Sequence, residues 1–264
     1  ATRIGRTALT VSDLSETVAF YRDVVGLTVR TRADSEAVLG TEETPLLVLE
    51  HDPDARSRDR SAAGLFHNAF RVPSRAALGD ALARVREHWQ LGGASDHGVS
   101  EALYLSDPEG NGIEIYRDFP REVWPRGAGG TVRMGTDPLD LDPIAAAAAG
   151  ETRAPTGTDV GHVHLEVTSL DAFRAFYVDT VGFDVQVAMP AACFVAAGGY
   201  HHHLGANTWN GRSAPAGDSG LSWFEVVVPD TDSLSAVRDR VADGRYAVTE
   251  TDDGIARSEE HTSE

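Results

Sequence analysis

Residues 5–29 read GRTALTVSDLSETVAFYRDVVGLTV, and residues 161–185 read GHVHLEVTSLDAFRAFYVDTVGFDV. Eleven of the 25 aligned positions are identical, including the shared Ala-Phe-Tyr, the Asp two residues later and the Val-Gly that follows. Self-similarity of this kind marks a duplicated structural unit. The first copy opens on an alternating, β-branched run, Thr7–Val11, which predicts a strand. Ser12 or Asp13 can cap a helix with an apolar stripe of Val18, Tyr21 and Val25, and Gly26 suits the C′ position. The copies differ where one has Arg6 and the other His162. An exchange to imidazole on a strand can create a metal ligand.

Strand-like runs at Leu27–Arg32, Glu36–Gly40 and Leu46–His51 complete a βαβββ unit of about 55 residues, and the pattern recurs. Unit two is a strand at Leu65–Val72, a helix at Arg75–His88, and strands at Ser100–Leu105 and Gly112–Tyr116 around a turn, Asp107–Asn111. Unit three is His162–Val167, a helix at Leu170–Val181, and strands at Phe183–Val187, Cys193–Ala197 and His201–Ala206. Unit four begins with Ser222–Val228 and a helix near Ser233–Ala242, and is then cut short. The fold class expected is α+β, with four βαβββ modules paired into two half-barrels. Residues 1–118 are read as one domain, 119–160 (rich in Pro, Gly and Ala) as a linker, and 161–256 as a second domain. Residues 257–264, RSEEHTSE, are polar and patternless, and match the translation of a sequencing adapter (AGA TCG GAA GAG CAC ACG TCT GAA). They are read as a non-native tail that replaces the end of unit four, so His261 is given no role.

Composition narrows the function classes. A chain of 264 residues has room for a sizeable core. Its net charge of −18 argues against nucleic-acid binding, which needs a basic face. All 23 basic residues are Arg. With the acidic surface this suits a GC-rich genome or a salt-loving source, and the latter is the expectation. No stretch approaches the roughly 18 apolar residues of a membrane span, and no basic-then-apolar segment opens the chain, so a cytoplasmic protein is expected. Cys193 is the single cysteine, which excludes an internal disulfide or a Cys-based zinc cluster.

Four stretches carry the chemistry: GLFH (64–67), DHGVSEALYLSDPEGNGIEIY (96–116), GHVH (161–164) and GGYHHHLGANTW (198–209). Together with the four units they resemble the vicinal oxygen chelate superfamily of glyoxalases, bleomycin resistance proteins and extradiol dioxygenases. The closest resemblance is to two-domain catechol 2,3-dioxygenases. It implies bowl-shaped half-barrels, an Fe(II) centre (with Mn(II) the other hard-ligand option), a small aromatic diol substrate and O2. A homo-oligomer is compatible with it.

In that superfamily, ligands stand on the first strands of two units and the last strand of one. First strands here carry Arg6, His67, His162 and Trp223, and last strands carry Glu50, Glu114 and a His from 201–203. The resemblance therefore implies His67, His162 and Glu114 as ligands, on units two and three, with units one and four forming a vestigial bowl. Two His and one carboxylate on one face also match what Fe(II) oxygen chemistry requires. Glu114 lies between Ile113 and Ile115, and a carboxylate buried there without a partner would be costly.

The resemblance further implies His202 as acid/base, although which of His201, His202 and His203 faces the metal stays open. On the expected strand His201–Ala206, His201 and His203 face one way and His202 the other. Tyr104, ten residues before Glu114, takes a substrate-orienting role, and His97 is a further pocket histidine. His164 is read as a pocket wall, and Asn207, Trp209 and Asn210 as candidate lining. Two other readings compete. One is a glyoxalase-like lyase or isomerase with a unit-three His as fourth ligand. The other is a non-enzymatic, drug-sequestering binder.

Overall fold

Each unit opens on a strand that runs into a helix. The computed structural model describes residues 1–127, 130–244, 246–251 and 254–257. Unit one is β1 (Arg3–Val11), α1 (Leu14–Phe20), β2 (Thr28–Arg32), β3 (Glu36–Gly40) and β4 (Pro45–His51). Unit two is β5 (Gly64–Arg71), α2 (Arg75–His88), β6 (Gly93–Asp96), β7 (Ser100–Ser106) and β8 (Gly112–Asp118). The short β9 (Asp137–Pro138) and α3 (Asp142–Ala146) follow. Unit three is β10 (Asp159–Glu166), α4 (Leu170–Arg174), β11 (Asp184–Met189), β12 (Ala192–Ala196) and β13 (Leu204–Asn207). Unit four is β14 (Gly220–Val227) and α5 (Thr231–Asp243), followed by a separate hairpin of β15 (Thr249–Thr251) and β16 (Gly254–Ala256).

The duplicated stretches fold alike. Asp13 caps α1 by accepting from Glu16 N at 2.8 Å, and Ser169 caps α4 by accepting from Ala172 N at 3.2 Å. Both helices then widen into π-helical turns, Tyr21–Val25 and Ala175–Thr180. These end at Gly26 (φ 91°) and Gly182 (φ 95°), a left-handed conformation that glycine adopts without penalty. The helix expected over Leu170–Val181 is thus α-helical only in its first part.

One sheet has the order β14-β1-β4-β3-β2, and the other β11-β12-β13-β10-β5-β8-β7-β6-β9. Unit two therefore shares a sheet with unit three, through antiparallel β5 and β10. Unit one shares a sheet with unit four, through antiparallel β1 and β14. Alternation in β8 sends Ile113 and Ile115 to the core formed with Phe70, Leu78, Leu82 and Leu103, and leaves Glu114 and Tyr116 for the other face. The sheets meet at a buried hydrogen bond from Asn68 Nδ2 to Thr7 Oγ1, 2.7 Å.

One expected element is corrected. The third-unit strand starts at Leu204, and His201 and His202 lie in the bend before it. Gly198 (φ 65°) and Gly199 (φ 68°) turn the chain there, so strict facing by alternation does not apply. The segment 119–160 is more than a connector. Trp124 and Ile144 are buried, and α3 packs on α2, where Gly79 lets the Ile144 carbonyl approach within 2.5 Å of where a Cβ would stand. Of the tail 257–264, Arg257 lies over the rings of Phe176 and Tyr246, and residues 258–264, with His261, fall outside the described residues. Among the described residues no helix is long and apolar enough to cross a membrane.

Candidate metal centre

The seam between units two and three places three donors around one point. β5 and β10 pair with His164 opposite His67 and His162 opposite Ala69. β5 and β8 pair in parallel with Ala69 beside Glu114. The small Ala69 therefore separates His162 from Glu114 in neighbouring strands, and their longer side chains meet above it. His67 Nε2 lies 3.0 Å from Glu114 Oε2 and His162 Nε2 lies 3.1 Å from it. The two Nε2 atoms are 3.2 Å apart. All three residues are buried, and among the described residues they form the one His/Cys/Asp/Glu group whose ligand atoms converge.

The electrostatics suit a cation. Burial pushes the Glu114 carboxyl up, but the His162 and His67 imidazoles beside it more than offset this and hold it well below the usual carboxylate range. Burial brings His162 down to about 4, against the pull of Glu114. At neutral pH the cluster thus contains an anionic carboxylate beside a neutral His162 imidazole, the protonation states in which these groups ligate metals. Ligand atoms bound cis at roughly 2.1 Å stand about 3 Å apart, so the observed spacings fit one first-row ion. His162 Nδ1 is buried without a partner, whereas a ligating His usually donates that N–H to a neighbouring acceptor.

Among the described residues no fourth donor joins these three. Glu114 is level with Ala69, two residues past His67. The same offset in unit three leads from His162 to His164, and the residue level with it on β13 is Gly205. A Cβ at Gly205 would come within 3.0 Å of the His164 ring, so the glycine is also a packing requirement. In unit one the same offset leads from Arg6 to Ala8, level with Val48 on β4. The counterpart of Glu114 in unit one is therefore Val48, and Glu50 lies further along the strand.

The other singled-out residues surround the three donors. Tyr104 pairs directly opposite Glu114 across β7 and β8. Its hydroxyl is 2.6 Å from His97 Nε2. His97 Nδ1 lies 2.6 Å from the Gly135 carbonyl, which can only accept, so Nδ1 carries the proton and Nε2 accepts from Tyr104. Burial and the Glu114 charge raise the Tyr104 phenol far above its ordinary value, so it stays protonated. His202 stacks beside His162 with ring centres 4.0 Å apart, and burial with the neighbouring imidazoles pushes it well below the usual histidine value. His164 Nε2 accepts from Asn207 Nδ2 at 3.0 Å, and Phe66 and Trp209 flank it at 4.9 and 5.5 Å between ring centres. Asn210 points elsewhere, to Glu166. His201 and His203 do not join the donors. His201 bonds Asp118, and His203 Nδ1 accepts from Ala197 N.

Sequence reasoning missed Asp118, Tyr116 and Tyr200, which form a hydrogen-bonded cluster, with both tyrosines buried and Asp118 partly so, next to His201. Alternation along β8 (114, 116, 118) was the available signal. A second support was also missed. Glu109 Oε1, in the turn between β7 and β8, accepts from Ser12 N (2.8 Å) and Asp13 N (2.9 Å), and Tyr21 donates to Asp107 at 3.1 Å. Unit one thereby holds the hairpin that carries Tyr104 and Glu114.

Residues 3–115 match the model of the Glyoxalase/Bleomycin resistance protein/Dioxygenase superfamily. The chain is 43% identical over 263 residues to a catechol-2,3-dioxygenase of Bacillus subtilis (strain 168), covering 96% of this chain and 92% of that protein. It belongs to this superfamily. Solved structures agree on the fold of the superfamily member. A crystal structure of a Bacillus subtilis protein provisionally assigned as a dioxygenase aligns with TM-score 0.65 at 14% identity, over 95% of this chain and 78% of that one. Glyoxalase I from Zea mays aligns with TM-score 0.54 at 16% identity, over 95% and 83%.

Proposed function

We propose that this protein is an Fe(II)-dependent extradiol dioxygenase that opens a catechol-like ring with O2, at the bond next to the two hydroxyls. The observation that carries this reading is the three-donor face with Gly205 at the fourth position. His67, His162 and Glu114 would hold the ion, and a glycine there leaves coordination sites free for a chelating diol and O2, the pattern of non-haem Fe(II) oxygenases. A four-ligand, glyoxalase-like centre would need a donor where Gly205 has none. The relative named catechol-2,3-dioxygenase supports the same substrate class.

When bound, the iron would supply a Lewis-acidic, redox-active centre that brings the diol and O2 together. The protein's own groups supply the rest. His202, kept neutral by burial, has a lone pair for the proton of the second hydroxyl, and returns that proton to the departing oxygen later in the cycle. Tyr104, its hydroxyl held by His97 Nε2, orients a substrate oxygen. Phe66, His164 and Trp209 offer ring faces and edges for a planar aromatic.

The test is anaerobic reconstitution with Fe(II), followed by catechol and O2. The expected result is a yellow ring-opened product with one O2 consumed per catechol. Tightly bound iron with no oxygen uptake on any catechol offered would overturn the reading.

A further inference from the structure

His202 is the inner end of a chain of hydrogen bonds that leads from the metal centre to the partly exposed Asp118 and Arg71. Its Nδ1 lies 2.8 Å from His201 Nδ1. His201 Nε2 lies 2.9 Å from Asp118 Oδ1. Asp118 Oδ2 accepts from Tyr200 Oη at 3.0 Å and from Arg71 at 3.1 Å, and Tyr200 Oη is 2.8 Å from Tyr116 Oη. His201 is buried, with Tyr200, Trp124 and Tyr116 around its ring. Gly161 gives the Tyr116 hydroxyl its room, because a Cβ there would overlap it.

Counting protons along this chain fixes a tautomer. Asp118 meets donors at both oxygens, including a guanidinium, so it is an ionised, acceptor-only group. His201 must then carry its proton on Nε2. A neutral His201 has only a lone pair at Nδ1. Two ring nitrogens 2.8 Å apart need one hydrogen between them, and His202 has to supply it from its own Nδ1. The lone pair of His202 is left on Nε2. That atom has no partner among the described residues and is not sealed from solvent. A His201 protonated on both nitrogens would reverse donor and acceptor in this pair, so the two arrangements are told apart by which nitrogen of His202 carries the hydrogen.

We propose that Asp118 and His201 are positioning residues that lock His202 as the Nδ1–H tautomer, so that Nε2 faces the substrate as the basic nitrogen. The inference rests on the reading of His202 as the acid/base group. It gives the second and third histidines of the run different tasks from the first. His201 orients, His202 transfers the proton, and His203 secures the Ala197 backbone.

The test is 15N NMR of the metal-free full chain labelled at histidine, at neutral pH, with His202 assigned by loss of its signals in His202→Asn. The expected spectrum shows a protonated Nδ1 and an unprotonated Nε2 for His202. The opposite tautomer, or a His201 protonated on both nitrogens, would overturn the proposal. Asp118→Asn supplies a second arm, because the amide can donate to His201 and invert both rings. In serine-protease triads the analogous exchange traps the wrong tautomer and costs about 10⁴ in kcat. Here kcat should fall by about 10²-fold or more, with KM and iron content within about twofold. An Asp118→Asn enzyme with unchanged kcat and unchanged tautomer would also overturn it. If that variant does not fold, the wild-type spectrum decides alone. A chain with the expected tautomer but no ring cleavage would defeat the proposed function and leave this inference standing.

Discussion

The two sheets are built the same way and hold opposite contents at their seams. Between β5 and β10 stand His67, His162 and, level with Ala69, Glu114. Between β1 and β14 the corresponding places hold Trp223, Arg6 and Val48, with Ala8 opposite Trp223 and level with Val48. Arg6 and Trp223 are donors with no lone pair to offer a metal, and Val48 has no polar atom. Arg6 is occupied with Glu225 (Nε to Oε1, 3.0 Å), and Trp223 Nε1 donates to Glu50 at 3.0 Å. The Arg6–Glu225 pair is 43% and 35% exposed at the side chains, whereas His162 and Glu114 are 1% and 4%. One backbone plan therefore yields either a dry, lone-pair-rich pocket or a wet, satisfied surface. Three side chains at fixed offsets make the difference, because function resides in the site rather than in the fold.

The largest expected effect breaks only one seam. Glu114→Ala should lower iron affinity by about 10²-fold or more and remove ring cleavage, read by metal analysis and oxygen uptake. Glu50→Ala in the other seam should leave both unchanged and cost about 1 kcal/mol in urea unfolding, through the unpaired Trp223 N–H. Retained activity in Glu114→Ala would sink the ligand assignment. Next in size, Tyr104→Phe should reduce kcat about tenfold with iron content preserved, and an unchanged kcat would remove Tyr104 from the chemistry.

A third test uses pH. His162 and His203 are each held down to about 4 by burial, against an ordinary value of 6.5. Between about 4 and 6.5 the unfolded chain therefore binds protons that the folded chain refuses. Stability of the metal-free protein should fall on acidification across that window, by about 1.4 kcal/mol per pH unit for each such imidazole. His203→Asn should flatten the slope by one proton, and a urea midpoint independent of pH in this window would contradict the assignment. The smallest effect is expected at Trp209, half exposed beside Phe66 and His164. Trp209→Ala should raise KM for catechol a fewfold and barely move stability, whereas an unchanged KM would place the substrate ring elsewhere.

Much of the fold was legible because local signals agreed. The expected bounds of β3 and α2, Glu36–Gly40 and Arg75–His88, match the observed elements at both ends. The repeat announced the shared strand–helix–turn of units one and three. For the candidate site, the positions of His67, Glu114 and His162 could be read from strand order, and the structure brings their donor atoms within hydrogen-bonding distance; their metal role is the proposal above. His201 and Tyr200 could not be read, since they lie in a bend after two left-handed glycines, where no period exists. The burial of Trp124 and Ile144 was equally hidden, because short irregular segments reveal their contacts only through the partners that the fold brings to them.

The crosswise pairing of units has a consequence for how the chain is made. Units two and three are neighbours in sequence and join directly, while β1 must wait for β14, more than two hundred residues later. The connections are nested like brackets, and the inner pair can close first. Until synthesis reaches β14, one edge of β1 stays unpaired, with an apolar face that includes Leu9 and Val11. Such late, long-range closure slows folding and leaves a sticky edge open during translation. Assembly of the outer pair is therefore the step at which this chain most needs protection from its own copies, although the chemistry belongs to the inner one.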